Sequence, residues 1–306
     1  MIKFYQKTVK DQKLKELRKF SVGSWIYVEN PSEKELIRLS SQFGLDEYLL
    51  KDAIDPNEVP RVEINNNITY VFTRVPYQEE DRIITIPLLV GIAPDFIFTV
   101  CCRKLDFWYK FFDSYIEFYT TQKSKFFTQI FSEINEIYND ALTNISRQMR
   151  GVSVRVDQIK NEDILRFVIF EEMLNDFMAA LIPTNALLNN ILSGKFFKLY
   201  EEDQDLIENL FLVNRQLIEM CKANLKTIVN VREAYSTIMS NNLNRIIKFF
   251  TSLTIVLTIP TIIASFYGMN VLLPFSESHF AFAGITIFTI IICFVVLIIF
   301  IKKDWL

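Results

Sequence analysis

The spacing of apolar residues changes three times along this chain. In the first hundred residues, short β-branched and aromatic runs at 61–64, 68–74, 82–90 and 96–101 are separated by Asn, Pro, Gly and Asp, which predicts strands. Pro31-Ser32-Glu33 opens a helix that Gly44 closes, and 46–54 fits a second short helix. The connector Asn65-Asn66-Asn67 predicts a hairpin, while the remaining pairings stay open between parallel and antiparallel. From about Leu105 the strand signal stops. Apolar residues then recur at three-and-four spacing through Phe111, Tyr115 and Phe118, and again from Phe127 through Ile134 and Tyr138 to Ile145. A further helix is expected over 152–192, kinked at Pro183 and closed by Ser193-Gly194. No Gly or Pro occurs between Lys195 and Ile259, so one helix starting near Glu201 is expected to run to Tyr267, roughly 100 Å. Its stripe of Leu206, Leu210, Val213, Leu217, Met220, Leu225 and Ile228 must pack on other helices, either in the same chain or in a bundle of identical stalks. Two uncharged apolar runs follow, 249–266 and 280–301, each long enough to span a bilayer and joined by about a dozen residues.

These patterns divide the chain into a mixed α/β domain (1–104), a helical hairpin packed on its sheet (105–200), a long stalk helix continuing into the first span (201–267, the span at about 249–267), a loop (268–279), a second span (280–301) and a basic tail (302–306). The fold class is therefore an α+β cytoplasmic domain with a long helical stalk and two C-terminal transmembrane helices. Charge sets the orientation: Arg245 and Lys248 precede the first span and Lys302-Lys303 follow the second, whereas the connector carries no Lys or Arg and one acid, Glu277. Both termini are expected in the cytoplasm of a multi-pass cell-membrane protein, with the connector outside. The start Met1-Ile2-Lys3-Phe4-Tyr5 lacks the apolar core of a signal peptide.

Composition mainly excludes. Net charge is −3 with basic and acidic residues interleaved, which gives no footing for nucleic-acid binding. The chain has one His (His279), no C-x-x-C spacing among Cys101, Cys102, Cys221 and Cys293, and too few clustered glycines for a phosphate loop. Reduced thiols are expected, an enzyme is the most remote reading, and an ATP-driven pump is disfavoured.

The first span carries Thr251, Thr254, Thr258, Thr261, Ser265 and Gly268 at three-four spacing, so small and hydroxyl-bearing residues share one helix face. Two readings stay open: close helix packing, or a water-filled path. One such helix per subunit cannot enclose a path, so the second reading requires a ring of subunits. The stripe holds no acid or base, which suits passive conduction over a proton relay.

Tyr267-Gly268-Met269-Asn270 between two terminal spans, with the Lys302-Lys303-Asp304-Trp305-Leu306 tail, resembles the CorA family of magnesium transporters. Ser240-Asn241-Asn242-Leu243-Asn244, Ala264-Ser265-Phe266-Tyr267, Leu49-Leu50-Lys51-Asp52-Ala53-Ile54 and Pro60-Arg61-Val62-Glu63 are similar to further family segments. The resemblance covers the whole chain and is specific in its C-terminal third. It implies a funnel-shaped homopentamer carrying Mg²⁺, with Co²⁺ and Ni²⁺ as further cargo. Gly268, Met269 and Asn270 would form the selectivity filter, with Asn244, Ile247, Phe250, Thr251, Thr254, Thr258, Thr261 and Ser265 lining the pore. Ile247 and Phe250 would be its apolar gate, although the family often holds Met or Leu there. Mg²⁺ sheds water reluctantly, so a ring of neutral Asn carbonyls that accepts hydrogen bonds from its hydration shell can select it without trapping it. The resemblance also implies regulatory Mg²⁺ bound between cytoplasmic domains through Asp52, with Asp205, Glu208 and Asn209 on the stalk and Glu233 at another stalk position. Inward movement through 100 mV supplies about 4.6 kcal/mol per divalent ion. A zinc-transporting branch of the fold tends to carry Val where this chain has Met269, so Met269 favours magnesium. The competing class is a membrane-anchored interaction protein without ion flux. Glu277 has no assigned role, because the connector lacks the family's common Met-Pro-Glu pattern.

Overall fold

The computed structural model describes residues 1–80, 82–153, 159–194, 196, 201–271, 280–303 and 305. They form two compact units, Met1–Asn230 and Val231–Leu306.

The first unit is built on a seven-stranded mixed sheet in the order β2-β1-β3-β7-β6-β5-β4. Its strands are β1 (Ile2–Gln6), β2 (Lys15–Leu17), β3 (Ser24–Glu29), β4 (Arg61–Asn65), β5 (Ile68–Glu79), β6 (Arg82–Ile92) and β7 (Phe96–Cys101). Among the described residues only the β3–β7 pairing is parallel; the others are antiparallel. Asn66 and Asn67, both at positive φ (51° and 62°), turn β4 into β5, the backbone that a two-residue hairpin needs and that Asn tolerates. Strands β1 to β3 were not expected. β3 pairs with β7, some seventy residues later in the chain, so the partner that makes it a strand is absent from its local pattern.

Side chains alternate between two cores. Ile26, Val28, Tyr70, Phe72 and Phe98 pack with Leu36, Leu39, Leu49 and Leu50 of α1 (Glu33–Phe43) and α2 (Glu47–Asp52). Both helices are capped as their sequence dictates. Ser32 and Glu35 close a capping box, Gly44 ends α1 at φ 66°, and Asp46 accepts from the Tyr48 and Leu49 amides. Trp25 takes the opposite side, where it meets Trp108, Phe112, Phe118 and Phe126 and donates its indole N–H to Thr99 at 2.9 Å.

After β7 the helix expected from Leu105 is short. A 3₁₀ turn, Asp106–Trp108, leads into α3 (Tyr109–Phe112), and Ser114 then adopts φ 62°. The segment holding Tyr115 and Phe118 is tied instead to the end of β1, where the Thr120 amide donates to Lys7 O at 2.9 Å and Lys7 N donates to Thr120 Oγ1 at 3.1 Å. Tertiary hydrogen bonds thus override a helical spacing. Helix α4 (Lys123–Ser153) and helix α5 (Asn161–Leu192) pack on the sheet. The single helix expected over 152–192 is therefore two elements, since Val152 and Ser153 end α4 and Asn161 begins α5, where the Asp163 carboxylate accepts from the Lys160 amide. Pro183 lies inside α5, and Gly194, at φ 72°, closes it. Helix α6 (Glu201–Tyr267) is continuous, and α7 (Ala281–Lys302) follows it. All four cysteines are free.

The buried seam of α6 differs from the expected stripe. Leu206 and Val213 are exposed, whereas Ile207, Leu210, Asn214, Leu217, Cys221, Asn224 and Ile228 are buried at four-three spacing. Counting only apolar residues hides this seam because two of its members are asparagines.

Gly91 is wedged between Tyr70 and Phe98, whose rings lie 5.7 Å apart, and a Cβ there would overlap the Phe98 ring. Gly91→Ala is expected to destabilise the first unit by about 1–3 kcal/mol through overpacking, read as a lower thermal midpoint.

Candidate functional site

Among the described residues, two helices are long and apolar enough to cross a membrane, and they are the end of α6 and all of α7. The contact between them decides which face of α6 is left over. Within the span, the less exposed positions of α6 are Ser252, Val256, Ile259, Pro260 and Ile263, one face at helical spacing. Ser252 is fully buried. The Cys293 thiol of α7 donates to the Val256 carbonyl at 3.6 Å, and Ile285 and Thr289 lie along the same groove. Thr251, Thr254, Thr258, Thr261 and Ser265 are all exposed. At about 100° per residue, the centre of this hydroxyl stripe falls about 180° from the seam. Helix α7 therefore packs along Val256, Pro260 and Ile263, with Gly268 at the end of the stripe lining the same groove, and leaves Thr251, Thr254, Thr258, Thr261 and Ser265 uncovered, as it also leaves Leu253, Leu257 and Phe266.

The hydroxyls of Thr254, Thr258 and Thr261 on that face are oriented by their own helix. Thr254 Oγ1 donates to the Phe250 carbonyl at 2.8 Å, Thr258 Oγ1 to Thr254 O at 2.7 Å and Thr261 Oγ1 to Leu257 O at 3.1 Å. Each hydroxyl hydrogen is committed to the backbone, so the oxygen presents its remaining lone pairs as an acceptor. A column of neutral acceptors suits a species that donates outward, such as the hydration shell of a cation. Asn244, Ile247 and Phe250 continue the column toward the N-terminal side and are exposed as well. Sequence pattern had not singled out Ser252 or Cys293. Both are small polar groups on the seam, and only the position of the second helix distinguishes them from the stripe.

The motif after the span continues the last helical turn. Gly268 N–H donates to Ala264 O at 2.9 Å, and Met269 N–H donates to Phe266 O at 3.3 Å. Gly268 is not in the left-handed region, and a Cβ there would sit 3.3 Å from Ala264 O. Helix α6 ends at Tyr267, and beyond Gly268 the bonding changes from the i−4 to the i−3 carbonyl, so the glycine stands where the chain leaves the helix, with its backbone outside the left-handed region. Met269 and Asn270 are exposed. Glu277 and His279 lie outside the described residues.

In the first unit Asp52 closes α2 and is held by Arg61, whose Nη2 lies 2.7 Å from Asp52 Oδ2. The same guanidinium pairs with Glu63 at 2.6 Å and with Glu58, and it stacks 4.2 Å from the Phe72 ring centre. Asp205, Glu208 and Asn209 are exposed on α6, and Asn209 borders a groove with Asn135, Glu136 and Asn139 of α4. Glu233 is exposed on the part of α6 in the second unit. Among the described residues of this single chain, no three His, Cys, Asp or Glu side chains cluster as a metal site, so these acids are not brought together within one copy.

The sequence profile of the family described as CorA-like Mg²⁺ transporter protein matches residues 21–303. A cobalt/magnesium transport protein CorA of Methanocaldococcus jannaschii is 23% identical over 294 residues, covering 92% of this chain and 91% of that protein. A magnesium transport protein CorA of Campylobacter jejuni is 25% identical over 313 residues, with coverage of 92% and 91%. The complete structure of the Methanocaldococcus jannaschii CorA magnesium transporter superposes with a TM-score of 0.89 at 20% identity, covering 100% of this chain and 99% of that one.

Ser252→Leu is expected to overfill the seam at a cost of about 1–3 kcal/mol and to reduce the yield of folded, detergent-solubilised protein. Thr258→Val, nearly isosteric on the uncovered face, is expected to leave that yield unchanged. Equal yields for all three proteins would contradict the placement of the seam.

Proposed function

The chain belongs to the CorA-like Mg²⁺ transporter family, and from that premise we propose that it conducts hydrated divalent cations passively into the cell, Mg²⁺ first, with Co²⁺ and Ni²⁺ as related cargo. The observation that carries this reading is the position of the hydroxyl stripe opposite the α6–α7 seam. A stripe used for packing within the hairpin would be covered by α7, whereas a stripe that lines a path must be left for the axis of an assembly. Copies arranged in a ring, a homopentamer as the family resemblance implies, would enclose that axis with α6 inside and α7 toward lipid.

In this reading the hydrated ion meets Asn270 first, with Met269 and Gly268 beneath it, then the acceptor column from Ser265 to Thr251, and finally the apolar constriction of Ile247 and Phe250 with Asn244 beneath. Neutral oxygens hold the hydration shell without stripping it, so the ion keeps its waters and is released at the far end. The membrane potential supplies the drive. Arg245, Lys248, Lys302 and Lys303 favour cytoplasmic termini, and Trp305 stacks on Phe300 at 5.6 Å beside the lysines, as an interfacial aromatic does.

Regulation by intracellular Mg²⁺ would use Asp52 together with Asp205, Glu208, Asn209 or Glu233 of a neighbouring copy. A cation arriving at Asp52 has to compete with Arg61, which holds that carboxylate in the isolated chain.

Asn270→Ala is expected to lower Mg²⁺ uptake into proteoliposomes by about tenfold or more, equivalent to about 1.4 kcal/mol of lost transition-state stabilisation. Unchanged uptake would remove Asn270 from the filter. Preferential passage of Zn²⁺ would assign the chain to the zinc-carrying branch, and no flux of any ion would favour the membrane-anchored interaction protein. Separately, Mg²⁺ is expected to protect the purified wild-type oligomer from proteolysis and to protect Asp52→Ala less. Equal protection would exclude a sensor at Asp52.

A further inference from the structure

Cys101 and Cys102 are adjacent in the chain at the end of β7, and neither belongs to the hydroxyl face of α6 or to the acids around Arg61. Cys101 is the last residue of the strand to pair, opposite Glu29 of β3 and Leu88 of β6, and it is buried. Its Sγ donates to the Pro87 carbonyl at 3.4 Å. Cys102 lies just past the ladder and is half-buried, so a small reagent in water reaches it. The two thiols stand within hydrogen-bonding reach of one another.

Their surroundings make them unequal. The hydrogen bond that Cys102 receives from Cys101 brings its thiol down to about 7, and the guanidiniums of Arg103 and Arg74 act in the same direction. The same bond, together with burial, pushes the Cys101 thiol well up, so Cys101 keeps its proton while Cys102 ionises. Arg103 is paired with Glu79 at 2.6 Å. Arg74 is not paired with a carboxylate: among the described residues it donates to Thr85 Oγ1 and to the carbonyls of Thr85, Pro56 and Glu58, all of them neutral. Its charge is left to favour an anion nearby. The other two cysteines lack this setting, since Cys221 is fully buried, its thiol pushed up to about 12 by burial, and Cys293 lies in the α6–α7 seam.

We propose that Cys101 and Cys102 form a peroxide-sensitive dithiol in which Cys102 is the nucleophile and Cys101 resolves it, closing a disulfide between adjacent residues. In the first step the Cys102 thiolate attacks an oxygen of a hydroperoxide. The S–O bond forms, the O–O bond breaks, the sulfur gives up an electron pair, and the departing oxygen takes a proton from solvent to leave as water or an alcohol. In the second step the Cys101 sulfur attacks the sulfenic acid of Cys102. The S–S bond forms, the S–O bond breaks, and the leaving hydroxide takes the Cys101 proton as water. A thiol reductant reopens the bond by exchange. Only Cys101 is held by the sheet, which leaves the backbone at Cys102 to bend as the small ring closes.

The test uses the full-length protein in detergent, with each modification located by peptide mass. A stoichiometric dose of hydrogen peroxide is expected to remove a pair of hydrogens from the peptide holding Cys101 and Cys102, and a thiol reductant to restore them. With the sulfenic-acid reagent dimedone present, Cys101→Ser is expected to accumulate about tenfold more adduct at Cys102 than the unmodified chain, because the resolving thiol is gone. Cys102→Ser is expected to leave Cys101 unoxidised at the same dose. Phenylarsine oxide, which bridges neighbouring thiols, is expected to shield both from alkylation in the unmodified chain, a readout that needs no substitution. Sulfenic or sulfinic acid at Cys102 of the unmodified chain without the disulfide would overturn the pairing, and equal adduct with and without Cys101 would do the same. Oxidation of Cys101 in Cys102→Ser as fast as Cys102 reacts in the unmodified chain would overturn the assignment of the nucleophile. Failure of the arsenical to shield the pair would show the thiols to be too far apart for the second step.

Discussion

The contact of α7 with one face of α6 is the constraint from which the rest follows. In hydrocarbon the backbone must satisfy itself, so both spans are helices, and their only freedom is which faces meet. Here the buried Ser252, Val256 and the thiol of Cys293 occupy the seam. The threonines fall on the far side as a consequence of helical geometry. Their hydroxyls bond back to Phe250, Thr254 and Leu257, which removes the donors and leaves acceptors. A face of that kind offers acceptors to any hydrogen-bond donor that lies beside it.

The first unit solves a different problem. Its sheet buries leucines together with Tyr70, Phe72 and Phe98 on one side and the rings around Trp25 on the other, and the α4–α5 layer then receives α6 on a seam that is only partly apolar. Carboxamides from α4 and α5 hold the carbonyls of α6 at Leu210 and Phe211, while Asn214, just beyond, has no hydrogen-bond partner among the described residues. A buried carboxamide left unpaired weakens the hold of this seam on α6.

Local chemistry was legible in the sequence where it decided the outcome. The Ser32–Glu35 capping box, the Gly44 and Gly194 helix ends, the Asn66-Asn67 turn and the two spans all follow from residues adjacent in the chain. Strands β1 to β3 were not legible, because β3 needs β7 to be a strand. Tyr115 and Phe118 kept helical spacing but were pulled into a connection by hydrogen bonds between Thr120 and Lys7. The hydroxyl stripe could be read directly, whereas its use could not, because the choice between packing and exposure depends on where α7 lies. Ser252 escaped notice for the same reason. The acids Asp52, Asp205 and Glu208 are scattered in one chain, so a site built from them would depend on a neighbouring copy.

The central claim is that the face of α6 opposite the seam is wet in the assembled protein. Single cysteines placed in turn at 251–265, labelled in membranes with a small water-soluble thiol reagent, test it most directly. The account predicts labelling at positions 251, 254, 258, 261 and 265 and protection at 252, 256 and 263. Labelling without that three-four period, or confined to the seam positions, would contradict it.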